Sequence, residues 1–164
     1  QTARFEAAIR GAFQAGLPVV AQCGRKVDLA HLRALAAALE RTNPGRWVKV
    51  IESVPDMETL ILGAAIVIHH AGMATTWETA RFRKPALFIP TIADQKVLAI
   101  QLEALGIGRR LPRGRELDAE AIAAELKKVQ ALACPWDGVE ALIAEAGGAS
   151  KGVALILDAL GSRP

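Results

Sequence analysis

Apolar residues along this chain fall at two alternating spacings. Phe5, Ala8, Ile9, Ala12 and Phe13 recur with a helical period over residues 2–14, and the pattern then gives way to a short apolar run at 18–22. The alternation continues through helix 28–40, strand 47–51, short helix 56–62, strand 65–69, helix 75–81, strand 86–89, helix 94–105, a short strand at 109–111 and helix 118–129. Strands and helices in strict turn predict a parallel sheet, because parallel neighbours need a crossover and the helix supplies it. Right-handed crossovers place helices on both faces, and ligands then bind beyond the carboxyl ends of the strands. The expected fold class is α/β. Such a sheet normally opens on a strand, so the opening helix implies a first strand and its loop upstream of Gln1. Two closing helices, 136–146 and 151–160, are separated by Gly147 and Gly148 with no strand between them, and are expected to lie across the domain as an appendage.

With 164 residues, 52% of them apolar, one domain over 1–164 with a full core is expected. The chain has no initial Met and enters a helical period at once, which reads as a start in mid-fold. No stretch reaches the roughly 18 consecutive apolar residues of a membrane span, and no signal-peptide pattern is present. Cys23 and Cys134 make neither a disulfide framework nor a metal-ligand spacing, so free thiols in a reducing, cytoplasmic setting are expected. A net charge of +3 without a basic stripe interleaved with aromatics gives no case for nucleic acid. Arg109, Arg110, Arg113 and Arg115 cluster. A solvated loop is the simpler reading; contact with anionic lipid or phosphate, peripheral at the inner face of a membrane, is the other.

The most informative segment runs from His70 to Glu78 and reads His-Ala-Gly-Met-Ala-Thr-Thr-Trp-Glu. The run before it, 61–68, is rich in β-branched and aliphatic residues, as a buried parallel strand would be. Gly72 permits a tight turn, and Thr75-x-x-Glu78 reads as a helix start with a capping box. Strand, turn and helix in that order aim free backbone N–H groups and the positive end of the helix dipole at whatever sits above the strand. The favoured guest there is a phosphate. Neither Gly-x-x-x-x-Gly-Lys-Ser/Thr nor Gly-x-Gly-x-x-Gly occurs, which argues against a P-loop or NAD protein.

Val67-Ile68-His69-His70-Ala71-Gly72-x-x-Thr75, with Glu78 eight residues past His70, resembles a stretch of the macrolide and other natural-product glycosyltransferases. Beyond it, Pro85, Phe88-Ile89-Pro90 and Pro90-x-x-x-Asp94-Gln95 are similar to that family's proline and acid–glutamine pair. Upstream, Gln22-Cys23-Gly24-Arg25 and Val54-Pro55-Asp56-Met57 are similar to the branch containing the cell-wall N-acetylglucosaminyltransferases and the diacylglycerol sugar transferases. The resemblance covers most of 18–111. It is to the C-terminal, donor-binding half of glycosyltransferases with two facing Rossmann-like domains, the GT-B fold. Three positions depart from the pattern: Ala74 stands where Gly is usual, Leu98 where an Asn often follows the acid–glutamine pair, and Arg83 where Gly commonly precedes Lys84-Pro85.

The resemblance implies a Rossmann-like parallel sheet with helices on both faces, one half of a two-domain enzyme. It implies that a nucleotide-diphosphate sugar, first of all a UDP-sugar, is held for inverting, metal-independent transfer to an acceptor hydroxyl. His70 would then donate an imidazole N–H to the diphosphate, and Gly72, Met73, Ala74, Thr75 and Thr76 would cradle it. Glu78 would accept from the ribose hydroxyls, in competition with a capping role toward Thr75. Asp94 and Gln95 would bind hydroxyls of the donor sugar, although an acid in a first helical turn is also favoured by the dipole alone. Val54, Pro55 and Met57 would wall the nucleobase. His69 must point away from His70 by strand alternation and is assigned a structural role. Trp47 and Trp77 are expected at the helix–sheet interface, and Met73 either in the core or in the loop. No cofactor or metal is implied, since the donor is a substrate. The acceptor wall and the general base would come from an N-terminal domain or a separate subunit. Two alternatives stay open: a nucleotide-sugar epimerase or hydrolase on the same cradle, and a non-catalytic donor-binding subunit that needs a partner chain.

Overall fold

The helical spacing of Phe5, Ile9 and Phe13 is realised in α1 (Thr2–Gln14) of the computed structural model, which describes residues 1–161. The last three residues of the expected 1–164 domain lie outside the described residues. After α1 come β1 (Val19–Gln22), α2 (Leu29–Thr42), β2 (Val48–Ile51), α3 (Met57–Leu62), β3 (Val67–His69), α4 (Met73–Arg81), β4 (Ala86–Phe88), α5 (Ala93–Ala104), β5 (Gly108–Arg110) and α6 (Ala119–Gln130). Three of these helices start at an aspartate: Asp28, Asp56 and Asp118 each accept a hydrogen bond from the backbone N–H three residues on, at His31, Thr59 and Ala121. Residues 1–134 form one compact unit and the residues from Pro135 a second, each described by itself. The second holds α7 (Trp136–Ala146) and α8 (Gly148–Gly161), and α7 ends at Gly147 in the left-handed conformation. No helix among the described residues is long and apolar enough to cross a membrane.

The apolar run at 61–68 is not one strand. The Asp56 cap commits Met57–Leu62 to a helix that buries Ile61, so the strand is confined to Val67–His69, matching the three residues of its partner β4. All strand pairs are parallel. The strands form two ladders, β1–β2 and β3–β4–β5, in the register Val19↔Val48 and Val67↔Ala86↔Gly108.

Side chains join what the ladders leave separate. One core cluster gathers Ile9, Phe13, Leu32, Leu35, Val48 and Val50; the other gathers Ala7, Ala12, Leu87, Ile122, Leu126 and Val129. Val19 packs against both, and α1 feeds both, its Ile9 and Phe13 on one side and Ala7 and Ala12 on the other. Where α1 meets α6, a Cβ on Gly11 would stand 2.6 Å from Cγ2 of Ile122, so only glycine lets the helices come this close.

Trp47 and Trp77 do not fill the helix–sheet interface: they are 51% and 47% exposed. The inner face of α4 is built from the small residues Thr76, Thr79 and Ala80, and Trp77 flanks that face with its indole half exposed. Met73 is 72% exposed and so is not a core filler. Three arginines of the cluster after α5 are paired. Arg109 Nε meets Glu125 at 2.6 Å, Arg110 meets Glu103 at 2.7 Å, and Arg115 Nε meets Asp118 at 2.7 Å, tying β5 to α5 and α6. Burial alone would raise the Glu125 carboxyl, but hydrogen bonds from Arg109 and Lys128 outweigh it and hold the group below the ordinary range.

Candidate functional site

The chain leaves β3 and enters α4 through three residues, His70, Ala71 and Gly72. The strained residue of this turn is Ala71, buried and at φ 61°, whereas Gly72 has an ordinary φ of −73°. Gly72 is needed for a different reason from turn geometry: the His70 ring folds against it, within 2.5 Å of where a Cβ would stand. His70 is exposed, and its neighbour is not. His69 turns inward, stands edge-on to the Phe88 ring at 5.3 Å between centroids, and accepts the Ala71 N–H on Nδ1 at 3.2 Å. Its proton therefore sits on Nε2, a buried atom without a hydrogen-bond partner among the described residues. Burial, and next to it the charge of His70, push the His69 pKa down to about 4, so the ring is neutral at physiological pH. The alternation of adjacent histidines is thus seen as expected.

Helix α4 begins at Met73 with Gly72 as its N-cap, and no side chain caps it. The expected capping box of Thr75 and Glu78 is absent, because the helix starts two residues earlier and Thr75 already lies inside the first turn. Two consequences follow. The N–H groups of Met73, Ala74 and Thr75 have no partner within the helix and none from a cap. Among the described residues no hydrogen bond or ion pair engages the Glu78 carboxylate, one turn further on. Thr76 is turned inward: its N–H bonds the Gly72 carbonyl at 2.9 Å, and its buried hydroxyl has no hydrogen-bond partner among the described residues. It closes the first turn rather than offering a donor.

The next corner follows β4. Gln95, in the first turn of α5, accepts three hydrogen bonds on one carbonyl oxygen: from the Thr91 N–H at 2.9 Å, the Thr91 hydroxyl at 2.8 Å and the Ile92 N–H at 3.3 Å. That oxygen locks the loop after Pro90 and leaves the amide –NH2 as the group able to meet a ligand. Asp94 beside it is exposed. The third corner follows β2, where Val54 and Met57 are half-buried and Pro55 is exposed, ahead of the Asp56 cap. Glu58 of α3 reaches Arg81 of α4 at 3.4 Å, an exposed pair that links this corner to the cradle. The groups expected to meet phosphate, ribose, sugar and base all stand after the carboxyl ends of parallel strands, β2, β3 and β4. The positive φ of Ala71 and the triple acceptor role of Gln95 were not foreseen, since neither residue type announces such geometry.

Comparison with known proteins gives one answer at three levels. The family model described as "Glycosyltransferase family 28 C-terminal domain" matches residues 4–134. The "NDP-glycosyltransferase YjiC" of Bacillus subtilis (strain 168) is 31% identical over 108 residues, 64% of this chain and 27% of that protein. Among solved structures, the glycosyltransferase of kitacinnamycin superposes with a TM-score of 0.76 over 96% of this chain and 39% of that one, at 22% identity. The glycosyltransferase VinC, in complex with dTDP, does so with a TM-score of 0.67 over 93% of this chain and 36% of the other, at 16% identity. This chain thus spans between about a quarter and two fifths of the length of the proteins it matches.

Proposed function

Since the chain belongs to the glycosyltransferase family 28 C-terminal domains, we propose that it is the donor-binding half of a glycosyltransferase and holds a nucleotide-diphosphate sugar, with a UDP-sugar as the first candidate. The observation that carries this reading is the uncapped start of α4: free N–H groups at Met73, Ala74 and Thr75, the His70 ring over Gly72, and the unengaged Glu78 carboxylate one turn on. A diphosphate satisfies the N–H groups and the dipole together. A ribose satisfies the carboxylate, which takes two hydroxyl donors well.

In transfer, the bond from the anomeric carbon to the diphosphate oxygen breaks as an acceptor hydroxyl oxygen attacks from the opposite face, so the configuration inverts. Negative charge grows on the leaving diphosphate. The helix dipole, the three N–H groups and His70 bind that charge more strongly than the ground state, which is the form of binding that lowers a barrier. No metal is required in this scheme. The Gln95 amide and Asp94 fix the sugar through its hydroxyls, and Val54, Pro55 and Met57 face the base. The acceptor's proton goes to a general base that we assign to an acceptor-binding domain or subunit beside this one.

Calorimetric titration with UDP, dTDP and their sugar conjugates tests the reading. Binding should be saturable, and at 100 times the dissociation constant should stabilise the fold by about 2.7 kcal/mol. The absence of binding by every nucleoside diphosphate at millimolar concentration would sink it.

A further inference from the structure

A concavity of about 210 Å³ lies beyond the carboxyl ends of β4 and β5, next to the corner at residues 90–95. Ile89, Pro90, Ile100 and Leu111 give it carbon walls, and Lys96 and Arg113 bring two cations to it. Lys96 and Ile100 stand one turn apart on α5, so one helix face supplies both a charge and an apolar side chain. The apolar character runs on past the rim: Val97 and Ile100, on the outer face of α5, are 57% and 50% exposed.

The charges here are not all equivalent. Arg110 is already engaged by Glu103, through both its side chain and its backbone N–H. Glu116 is turned to its own loop, where the Gly114 N–H reaches its carboxylate at 3.3 Å. Backbone hydrogen bonds, then the charges of Arg4 and Lys96, hold that carboxyl below its ordinary pKa. Among the described residues neither Lys96 nor Arg113 forms a hydrogen bond or a close ion pair. With Lys96, Arg110 and Arg113 in the lining against the single Glu116 carboxylate, a net cationic rim above carbon walls favours a guest that is anionic at one end and aliphatic at the other. A bare anion would leave the walls wet, and a neutral alkane would leave the cations unmet.

We propose that this concavity binds an amphiphilic phosphate, a phosphate ester carried on an aliphatic body, whether a soluble molecule or a lipid headgroup. None of its lining residues is among the groups assigned to the nucleotide or the sugar, although Lys96 is the chain neighbour of Gln95.

The test uses hexyl phosphate, inorganic phosphate and hexanol in calorimetric titrations against the chain and against a Lys96→Gln, Arg113→Gln double variant. Hexyl phosphate should bind at least about tenfold more tightly than inorganic phosphate, the gain that two buried methylene groups supply, and at least about tenfold more tightly than hexanol, the worth of a hydrogen bond to a charged group. The double variant should lose at least about tenfold of that affinity while keeping its melting temperature and its affinity for UDP. Flotation with vesicles of phosphatidic acid in phosphatidylcholine separates the sources. Retention that the double variant loses identifies a lipid; hexyl phosphate binding without retention identifies a soluble ester; both support the site. Equal affinity for hexyl and inorganic phosphate, undiminished binding by the double variant, or loss of UDP binding in it would each overturn the proposal. A chain that binds hexyl phosphate but no nucleotide would overturn the donor reading alone.

Discussion

The imidazole of His70 occupies the space a side chain on Gly72 would need: a Cβ there would stand 2.5 Å from Nε2 and 3.2 Å from Cδ2. Because the ring is exposed and free to swing, Gly72→Ala should fold normally but push His70 off the cradle. The expected loss is about tenfold in affinity for a nucleoside diphosphate, the worth of one charge-assisted hydrogen bond. A double-mutant cycle with His70→Ala checks it. If His70 is the group displaced, the second substitution adds little to the first; full additivity would place the damage elsewhere.

Glu78 has no capping role in this structure, so its substitution separates ligand from fold. Glu78→Gln should leave the melting temperature of the free chain within a degree or two while weakening UDP roughly 10- to 100-fold. Free pyrophosphate, which lacks a ribose, should bind as before. Parallel titrations with the two ligands decide it, and equal losses would remove the ribose assignment.

At the sugar corner the two candidates should behave differently. Gln95→Leu removes an oxygen that accepts three exposed hydrogen bonds, so it should cost about 0.5–1.5 kcal/mol of stability as well as affinity for a sugar nucleotide. Asp94→Ala should lower only the affinity. Denaturant unfolding beside titration with UDP and a UDP-sugar resolves the pair; bare UDP should be unaffected by Asp94→Ala.

His69 makes stability depend on pH in a defined window. Its pKa is about 4 in the fold against an ordinary 6.5, so the unfolded chain takes up a proton first as pH falls. Stability should decline from about pH 6.5 downward, by roughly 3 kcal/mol from this group once pH 4 is reached, and this contribution levels off below that. Unfolding free energies across this range, compared with His69→Gln, give the measurement. A variant with the same slope would assign the dependence to other groups.

Arg83 closes α4 in the left-handed region, at φ 53°, while the Arg83 N–H bonds the Ala80 carbonyl and the Lys84 N–H bonds the Thr79 carbonyl at 2.8 Å. This is the Schellman arrangement, in which glycine is the usual residue. Arg83→Gly relieves about 1–2 kcal/mol of backbone strain, and against this stand about 0.5–1 kcal/mol of unfolded-state entropy and the loss of the arginine side chain's own interaction, so thermal unfolding should shift by less than about 1 kcal/mol.

The order of elements was legible because the hydrophobic period changes from helical to strand-like at each junction, and three aspartate caps mark helix starts in the sequence. The strand–turn–helix of β3 and α4 was legible as a motif. What the sequence misplaced was local. A capping box written in the letters of Thr75 and Glu78 gave way to a helix that starts at Met73, since an exposed turn need not use the cap its sequence offers. The tryptophans were assigned inward on size, but the inner face of α4 had already been filled by small residues. The left-handed Ala71 carries no compositional mark, because alanine is as common in ordinary turns.

One helix contributes to the cores of both ladders. Because β1–β2 and β3–β4–β5 share no ladder and meet through Val19 and through the two faces of α1, the main-chain amides should exchange with solvent deuterium in blocks rather than as one. The β1–β2 amides can open with α2 while β3–β5 remain closed, whereas those in the middle of α1 are released only when both clusters come apart. The slowest-exchanging protons of the first unit are therefore expected near Ile9 and Ala12, in a helix with no ligand group of its own. The β3–α4 turn, on the three-stranded side, can breathe without unlocking its neighbour.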